Sequence, residues 1–288
     1  MINTKQITQG AMVCAIYGAL LFLNQQSALM IETSASWIFA FPILIYTARS
    51  GIKIGLLVSF CMGIMTMFFG GFTTWFYSWT SILIGFIYGV GLLKKFKNMT
   101  NFIFCFVLST LANLLIILLW SGIFGIDFYE DFTFFSEFIP FISLKVFTYL
   151  MIGCLGLLQA LCIHLVSLMI CMRMHMDIVP LQPIYKIESP RWVGVISALI
   201  WIGFFFIQNV LKCNEGINDL AQILFFVDCV ILLYFGVVYF MSLCIKHQKK
   251  KWAFLAITCA FIPGLNFLWM LMGELDCLLQ LRNRGLAI

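Results

Sequence analysis

Long apolar runs, separated by short polar stretches, repeat along almost the whole chain. Most of these runs reach the about 17–25 residues that an α-helix needs to cross a membrane. The short alternating segments of a β-barrel are absent. The pattern therefore predicts an all-α, polytopic transmembrane helical bundle, with spans at about 7–23, 35–46, 54–69, 76–93, 102–124, 146–171, 192–211 and 220–245.

The last apolar segment, from Trp252 to Met272, allows two interpretations. It is long enough to cross the membrane once. However, Pro263 and Gly264 lie in its middle, where a proline kinks or breaks a helix. The segment is either one kinked span, which we favour, or a hairpin whose second helix ends near Arg282 and Arg284. The predicted bundle therefore has eight or nine spans.

Composition supports a membrane protein and excludes a soluble one. The chain is 63% hydrophobic and 10% charged, whereas soluble domains are about 25% charged. The net charge of +5 does not indicate nucleic-acid binding, because the basic residues form short clusters between apolar runs. Most of the eleven cysteines lie inside those runs, where a thiol packs as a small apolar group. No spacing indicates a metal site, and no cofactor is expected.

The charged loops predict an orientation. Clusters of lysine and arginine fall in alternate loops, which is typical of cytoplasmic loops and places the N-terminus in the cytoplasm. The acidic, aromatic stretch 126–141 falls on the opposite face and reads as an interfacial segment. The basic clusters are Lys5; Arg49 with Lys53; Lys94, Lys95 and Lys97; Arg173, Lys186 and Arg191; and Lys246 to Lys251.

The longest polar connection, residues 172–191, divides the chain. Its prolines at 180, 183 and 190 preclude a continuous helix. We therefore predict a six-span membrane core at 1–171, a cytoplasmic connection at 172–191, and C-terminal membrane helices at 192–288.

A strip of small side chains marks the first span. Ala11, Ala15 and Ala19 are four residues apart, so they lie on one side of a helix. Small side chains let another helix approach closely. The strip is a candidate docking surface for a partner protein; the alternative is packing against the protein's own helices.

Asp228 is the strongest single candidate for a functional residue, because it lies about 12 Å into its span at 1.5 Å per residue. A carboxylate at such a depth costs about 2.5–3.5 kcal/mol on insertion scales and needs a partner, a cavity or a proton. The functional hypothesis is a proton- or cation-linked site. The structural alternatives are a hydrogen bond to Asn209 or Gln222, or a position near the end of a tilted helix.

Other polar residues inside the spans are weaker candidates. Asn113, Gln159 and His164 are of a kind that most often bonds a neighbouring helix; Asn113 is kept as a possible ligand-site residue. Lys145, near the end of its span, is placed to attract an anionic ligand. It is equally placed to extend to the interface or to pair with Glu137.

Four tryptophans fall near the predicted outer face: Trp37, Trp75, Trp79 and Trp120. Tryptophans at this level usually form an interfacial belt. The alternative is an aromatic pocket for a ring-containing ligand, with Trp75, Trp79 and Trp120 in its wall.

The motifs of common enzyme classes are missing. The sequence has no GxxxxGK[ST] loop, no HExxH and no GxSxG. We therefore expect neither ATP hydrolysis by a P-loop nor any other enzymatic activity.

Several glycine-rich motifs resemble those of the YybS-like, DUF2232 family of bacterial membrane proteins. The resemblance covers most of the chain. It involves Lys5 to Ala11, Gly51 to Gly55, Gly70-Gly71, Gly85 with Gly89, and Gly273-Glu274-Leu275-Asp276 followed by Arg282.

That family is in turn similar to the S-components of energy-coupling-factor (ECF) transporters. The resemblance implies an S-component-like core at 1–171, a docking role for Ala11, Ala15 and Ala19 on a transmembrane coupling subunit, and ATPase subunits as further partners. It also implies a solute pocket that faces outward and a location in the bacterial plasma membrane. We expect a solute-binding subunit that depends on partners for energy. The alternative is a regulatory or scaffolding protein of the cell envelope without transport activity.

Overall fold

The chain is a set of α-helices. The computed structural model describes residues 4–125, 142–180, 183, 187, 189–209, 214–248, 252, 258–260, 262 and 264–281, and every regular element in these ranges is helical. Seven helical segments in these ranges are long and apolar enough to cross a membrane. The predicted all-α polytopic bundle is confirmed. The acidic stretch 126–141 lies outside the described residues.

The chain divides into two compact units. Unit 1 comprises residues 1–128 and 151–180, and unit 2 comprises residues 129–150 and 181–288. Unit 1 holds most of the predicted six-span core, and unit 2 holds the predicted C-terminal helices. The helices of unit 1 are α1 (Thr4–Gln26), α2 (Met30–Ala35), a 3₁₀ helix (Ser36–Ala40), α3 (Phe41–Ser50), α4 (Ile52–Leu93), α5 (Asn98–Phe124) and most of α6 (Leu144–Arg173).

Helix α4 is a hairpin of two helical arms. Its 42 residues would extend about 63 Å as a straight helix, twice the thickness of a hydrocarbon core. At Gly71 the backbone leaves the helical region, with φ 74° and ψ −179°, a conformation that only glycine adopts readily. Thr47 contacts both Gly55 in the first arm and Gly89 in the second, so the arms must fold back on each other.

The two arms of α4 explain why seven apolar helical segments correspond to eight predicted spans. They correspond to the predicted spans 54–69 and 76–93. If each arm crosses the membrane, the seven apolar segments give eight crossings, which agrees with the predicted eight or nine.

The second predicted span is longer than its apolar run of 35–46. Helix α2, the 3₁₀ helix and α3 follow one another without a gap, and together Met30–Ser50 has 21 residues. Pro42 lies in the first turn of α3, where the missing N–H costs no hydrogen bond. The proline therefore begins α3 rather than breaking a longer helix.

The interior of unit 1 contains two clusters of buried apolar side chains. One joins α1, the 3₁₀ helix, α3 and α4, and includes Tyr17, Leu21, Phe39, Ile43, Met62 and Ile82. The other joins α3, α4, α5 and α6, and includes Leu44, Ile84, Tyr88, Cys105 and Ile163. Large apolar side chains also cover the outside, as at Phe68, which is 80% exposed. Such a surface fits lipid rather than water.

Unit 2 contains α7 (Arg191–Asn209), α8 (Glu215–Lys246) and α9 (Leu265–Leu279). Helices α8 and α9 approach closely at two glycines. A Cβ atom at Gly273 would overlap the carbonyl oxygen of Leu232, and one at Gly236 would overlap that of Trp269. Small residues allow this approach in membrane helices.

The final segment is described mainly in its second half. Helix α9 begins after Gly264, whose φ is 90°, and continues past 272 to Leu279. The second half of the segment is therefore a helix of its own, which both the kinked span and the hairpin allow, so the single kinked span stays a prediction. Most of the first half, together with Pro263, Arg282 and Arg284, lies outside the described residues.

Candidate functional site

Helix α1 has two different faces. Its buried residues are Gly10, Tyr17, Leu21 and Asn24. The predicted strip lies on the opposite side, where Ala11, Ala15 and Ala19 are all exposed. The strip is therefore not packed inside the described part of unit 1, which favours contact with lipid or with a partner over internal packing.

The buried face of α1 contacts polar groups. The hydroxyl groups of Tyr17 and Thr66 are hydrogen-bonded at 2.7 Å. The Gln25 side-chain amide donates to the backbone oxygen of Gly70, at 3.0 Å. These bonds attach the end of α1 to the first arm of α4, near the turn of the hairpin.

Glu32 is a buried carboxylate that the hydropathy pattern did not single out. It is 4% exposed. The Asn24 amide nitrogen donates to Glu32 Oε2 at 2.9 Å, and Asn24 Oδ1 accepts the Glu32 backbone N–H at 3.0 Å. A left-handed turn at Ala28 and Leu29 brings the two residues together. The sequence signal was an asparagine and a glutamate flanking a short polar turn.

Hydroxyl side chains continue this polar interior along both arms of α4. Thr66, Thr74, Ser78 and Ser81 are all fully buried. Thr66 lies before the Gly71 turn and the other three follow it, so the hairpin brings the two sets together. The arrangement supplies buried hydrogen-bond donors and acceptors inside unit 1, which suits a polar solute or a structural network.

The predicted tryptophans do not enclose a pocket in the described residues. Trp75 is half-buried against Phe72 and Phe76, and Trp79, 44% exposed, covers Gly63. Trp120 lies against Tyr77, with ring centroids 6.2 Å apart. The crevice beside Trp120 is shallow and lined only by apolar side chains: Phe72, Phe76, Leu119, Trp120 and Ile123. This geometry agrees better with an aromatic belt.

The other polar residues of α5 and α6 are dispersed. Asn113 is half-buried and makes no hydrogen bond among the described residues. The buried His164 Nδ1 is hydrogen-bonded to the Tyr88 hydroxyl at 2.8 Å, which is the helix-bridging role expected of it. The structure does not bring Asn113 and the tryptophans into one site.

The loop after α6 contacts the junction between α4 and α5. Asp177 forms an ion pair with Lys95, and the Asn98 amide donates to the backbone oxygen of Val179 at 3.0 Å. The hydrogen bond from Lys95, helped by its charge, lowers the pKa of Asp177 below its ordinary value. The start of the predicted cytoplasmic connection therefore packs beside the ends of α4 and α5.

Lys145 lines a cleft in unit 2. The other residues of the cleft include Glu215 and Asp219, and Ser143 Oγ donates to Asp219 Oδ1 at 2.8 Å. Two carboxylates beside one lysine make the cleft a poor anion site. Glu137, the predicted ion-pair partner, lies outside the described residues.

Asp228 is buried in unit 2, where it is 4% exposed. Its Oδ2 accepts hydrogen bonds from Ser197 Oγ at 2.7 Å and from Trp201 Nε1 at 2.9 Å. Asn209, suggested from the sequence as a partner of Asp228, does not take this role. Its side-chain amide donates to the Phe205 backbone oxygen of its own helix.

A second carboxyl group, that of Glu274 on α9, lies near Asp228. Its Oε2 atom is buried and has no hydrogen-bond partner in the described ranges. Two carboxyl groups inside an apolar bundle can hold a proton or a cation between them. A proton- or cation-linked role for Asp228 stays a prediction.

Residues 15–139 match the family model of the predicted membrane proteins called DUF2232. Over this part, which is less than half of the chain, the sequence is similar to the DUF2232 family. The family resemblance expected from the glycine motifs is confirmed over these residues. The similarity to ECF S-components stays a prediction.

The DUF2232 segment runs from within α1 to beyond α5. It includes Ala15 and Ala19, Glu32, the hydroxyl groups of α4, and the tryptophans, but not Lys145 or Asp228. No curated protein and no solved structure shows a significant match to the chain. The activity of the DUF2232 segment must therefore be argued from its residues.

Proposed function

We propose that the protein is a transport-related membrane subunit that binds a small solute and depends on partner subunits for energy. The observation that carries this proposal is the two-sided character of α1. Its outward side presents Ala11, Ala15 and Ala19. Its inward side makes two buried polar contacts, Tyr17 with Thr66 and Asn24 with Glu32.

The outward side suits docking onto a membrane partner. Alanine side chains cover little of the helix backbone, so a second helix can approach closely and gain dispersion contacts that lipid does not supply. The proposed partner is a transmembrane coupling subunit with ATPase subunits, because this chain has no P-loop motif of its own. The chain itself is proposed to have no enzymatic activity.

The inward side suits a polar solute. The Asn24–Glu32 pair lies where α1 ends, and Tyr17, two turns earlier on the same helix, is hydrogen-bonded to Thr66 of α4. With the N-terminus in the cytoplasm of a bacterial cell, this end faces outward, where a captured solute would arrive. A buried carboxylate favours a solute with hydrogen-bond donors or a positive charge.

The docking claim is tested by changing Ala11, Ala15 and Ala19 together to leucine. Leucine keeps the helix and its membrane insertion but holds a partner helix away. We expect the variant to insert normally and to lose a co-purifying coupling subunit and ATPase. The control changes Met12 and Ile16, exposed on the same helix, to leucine and should retain both.

Retention of the coupling subunit and ATPase by the triple leucine variant would refute docking through α1. If wild-type protein has no ATPase partner and solute uptake survives its deletion, the regulatory or scaffolding alternative replaces the proposal.

A further inference from the structure

A cavity of about 130 Å³ lies within unit 1, between the end of α4 and the start of α5. Its lining does not include the buried hydroxyl groups near the Gly71 turn of α4 or the four tryptophans. Most of its wall is apolar, including Ile84, Phe104 and Leu108. Phe104 is 52% exposed, so the cavity is bordered by side chains on the outer, lipid-facing surface of the bundle. Two polar residues in its wall, Lys94 and Asn101, make it more than a packing defect.

Asn101 supplies a buried donor. Its side chain is 3% exposed, and its Nδ2 group has no hydrogen-bond partner among the residues that the structure describes. The nearby Asn98 differs, because its amide donates to the backbone of Val179. Gly91 makes room for the Asn101 amide, since a Cβ atom there would overlap it. A buried unpaired N–H group is unfavourable, so a ligand with an acceptor oxygen would satisfy it.

Lys94 supplies a positive charge beside this donor. It is exposed, it lines the cavity, and it makes no ion pair within the described ranges. Its neighbour Lys95 differs, because it is paired with Asp177. The charge of Lys94 is therefore available to a ligand, at the end of the helices where the lysines cluster and where a lipid headgroup lies.

We propose that this cavity binds one phospholipid with an anionic headgroup. The headgroup phosphate pairs with Lys94, an ester carbonyl oxygen accepts a hydrogen bond from Asn101 Nδ2, and the first methylene groups lie against Phe104 and Leu108. Basic pockets between membrane helices recognise headgroups in this way. The apolar wall favours a lipid over free phosphate, which has no group to place against it. This site does not depend on the proposed docking or solute binding.

The test is native mass spectrometry of the purified, delipidated full chain, titrated with phosphatidylglycerol. We expect one lipid per chain at low lipid concentration. Lys94→Gln and Asn101→Leu should each weaken this first binding step about tenfold, as expected for the loss of one charge-assisted or buried hydrogen bond. Lys97→Gln, which removes a nearby charge outside the cavity, should bind like wild type.

Folding is controlled separately. Lys94 is exposed, so Lys94→Gln should keep the wild-type melting temperature, and this variant decides the outcome if Asn101→Leu does not fold. Unchanged phosphatidylglycerol binding by Lys94→Gln would overturn the proposal. A Lys94-dependent adduct with inorganic phosphate alone, in the absence of any such adduct with the lipid, would overturn the choice of a lipid.

Discussion

Asp228 shows how one intramembrane carboxylate organises its neighbours. A single oxygen accepts two hydrogen bonds, from Ser197 and Trp201. Both donors are on α7 and the acceptor is on α8, so the group joins two helices. Its position was predictable from the sequence, because an acid in an apolar run stands out. Its partners were not, because the rotation of α7 against α8 is set by packing that no single run encodes.

Replacing Asp228 separates these roles. Asp228→Leu removes the acceptor and leaves both donors unpaired, so we expect a loss of about 1–3 kcal/mol of stability. Asp228→Asn keeps an acceptor oxygen and should lose less than half as much. Thermal unfolding in detergent measures both changes. Equal losses for the two variants would contradict the hydrogen-bond account, whereas a stable Asp228→Asn protein that has lost function would support a proton or cation role.

The Asn24–Glu32 pair is a second prediction at this scale. Asn24→Ala removes a donor to the buried carboxylate and an acceptor for the Glu32 backbone N–H. We expect a loss of about 1–3 kcal/mol, because both groups of Glu32 stay buried without their partner. Thr33→Ala, an exposed change on the same short helix, should have little effect. Equal melting temperatures for wild type and Asn24→Ala would show that the pair is not stabilising.

Among the elements, the crossing of α8 and α9 depends on small residues at its two close approaches, Gly236 and Gly273. Gly273 lies where the backbone of α8 approaches at Leu232. Gly273→Ala should force the helices apart and cost about 1–3 kcal/mol, the usual range for overpacking. Gly203→Ala is the matched control, since a Cβ atom there meets open space. It should be neutral or stabilising, because alanine is the better helix former. A tolerant Gly273→Ala protein would contradict the close crossing.

The elements were only partly predictable, as the hairpin in α4 and the second span show. The Gly70-Gly71 pair and the two apolar runs around it predicted an end to one span and a beginning of another, and that is what the structure shows at Gly71. The length of the second span was underestimated, because the polar residues Glu32, Thr33 and Ser34 lie in its first turns. The buried Glu32 is hydrogen-bonded to Asn24, eight residues away, and a hydropathy pattern does not contain such a pairing.

For the whole molecule, the lysine clusters predict that the tip of the α4 hairpin faces away from the cytoplasm. Periplasmic alkaline phosphatase is active only outside the cytoplasm, so its fusion at residue 72, at the tip of the α4 hairpin, should be active. Fusion at residue 96, after the second arm, should be inactive. The opposite activities would invert the orientation predicted from the lysine clusters. Inactivity at both positions would contradict a hairpin that crosses twice.

At this scale the sequence was informative about class and less so about assembly. Low charge and long apolar runs were sufficient to predict a helical membrane bundle, because lipid leaves few alternatives for a buried backbone. The grouping of helices into two units, with the start of α6 in unit 2, depends on packing between distant segments. The proposed function of the alanine strip could not be tested from the chain alone either, because it involves a second protein.

Native mass spectrometry of the protein, gently extracted from its own membrane, decides whether the chain captures a solute and docks onto a coupling subunit. The account predicts a complex that contains this chain, a transmembrane coupling subunit and ATPase subunits, with one small solute of defined mass. The same extraction of the Ala11, Ala15 and Ala19 triple leucine variant should yield the chain without those subunits. A wild-type chain that is bare, or that is bound only to envelope proteins without an ATPase, would contradict the transport-related proposal.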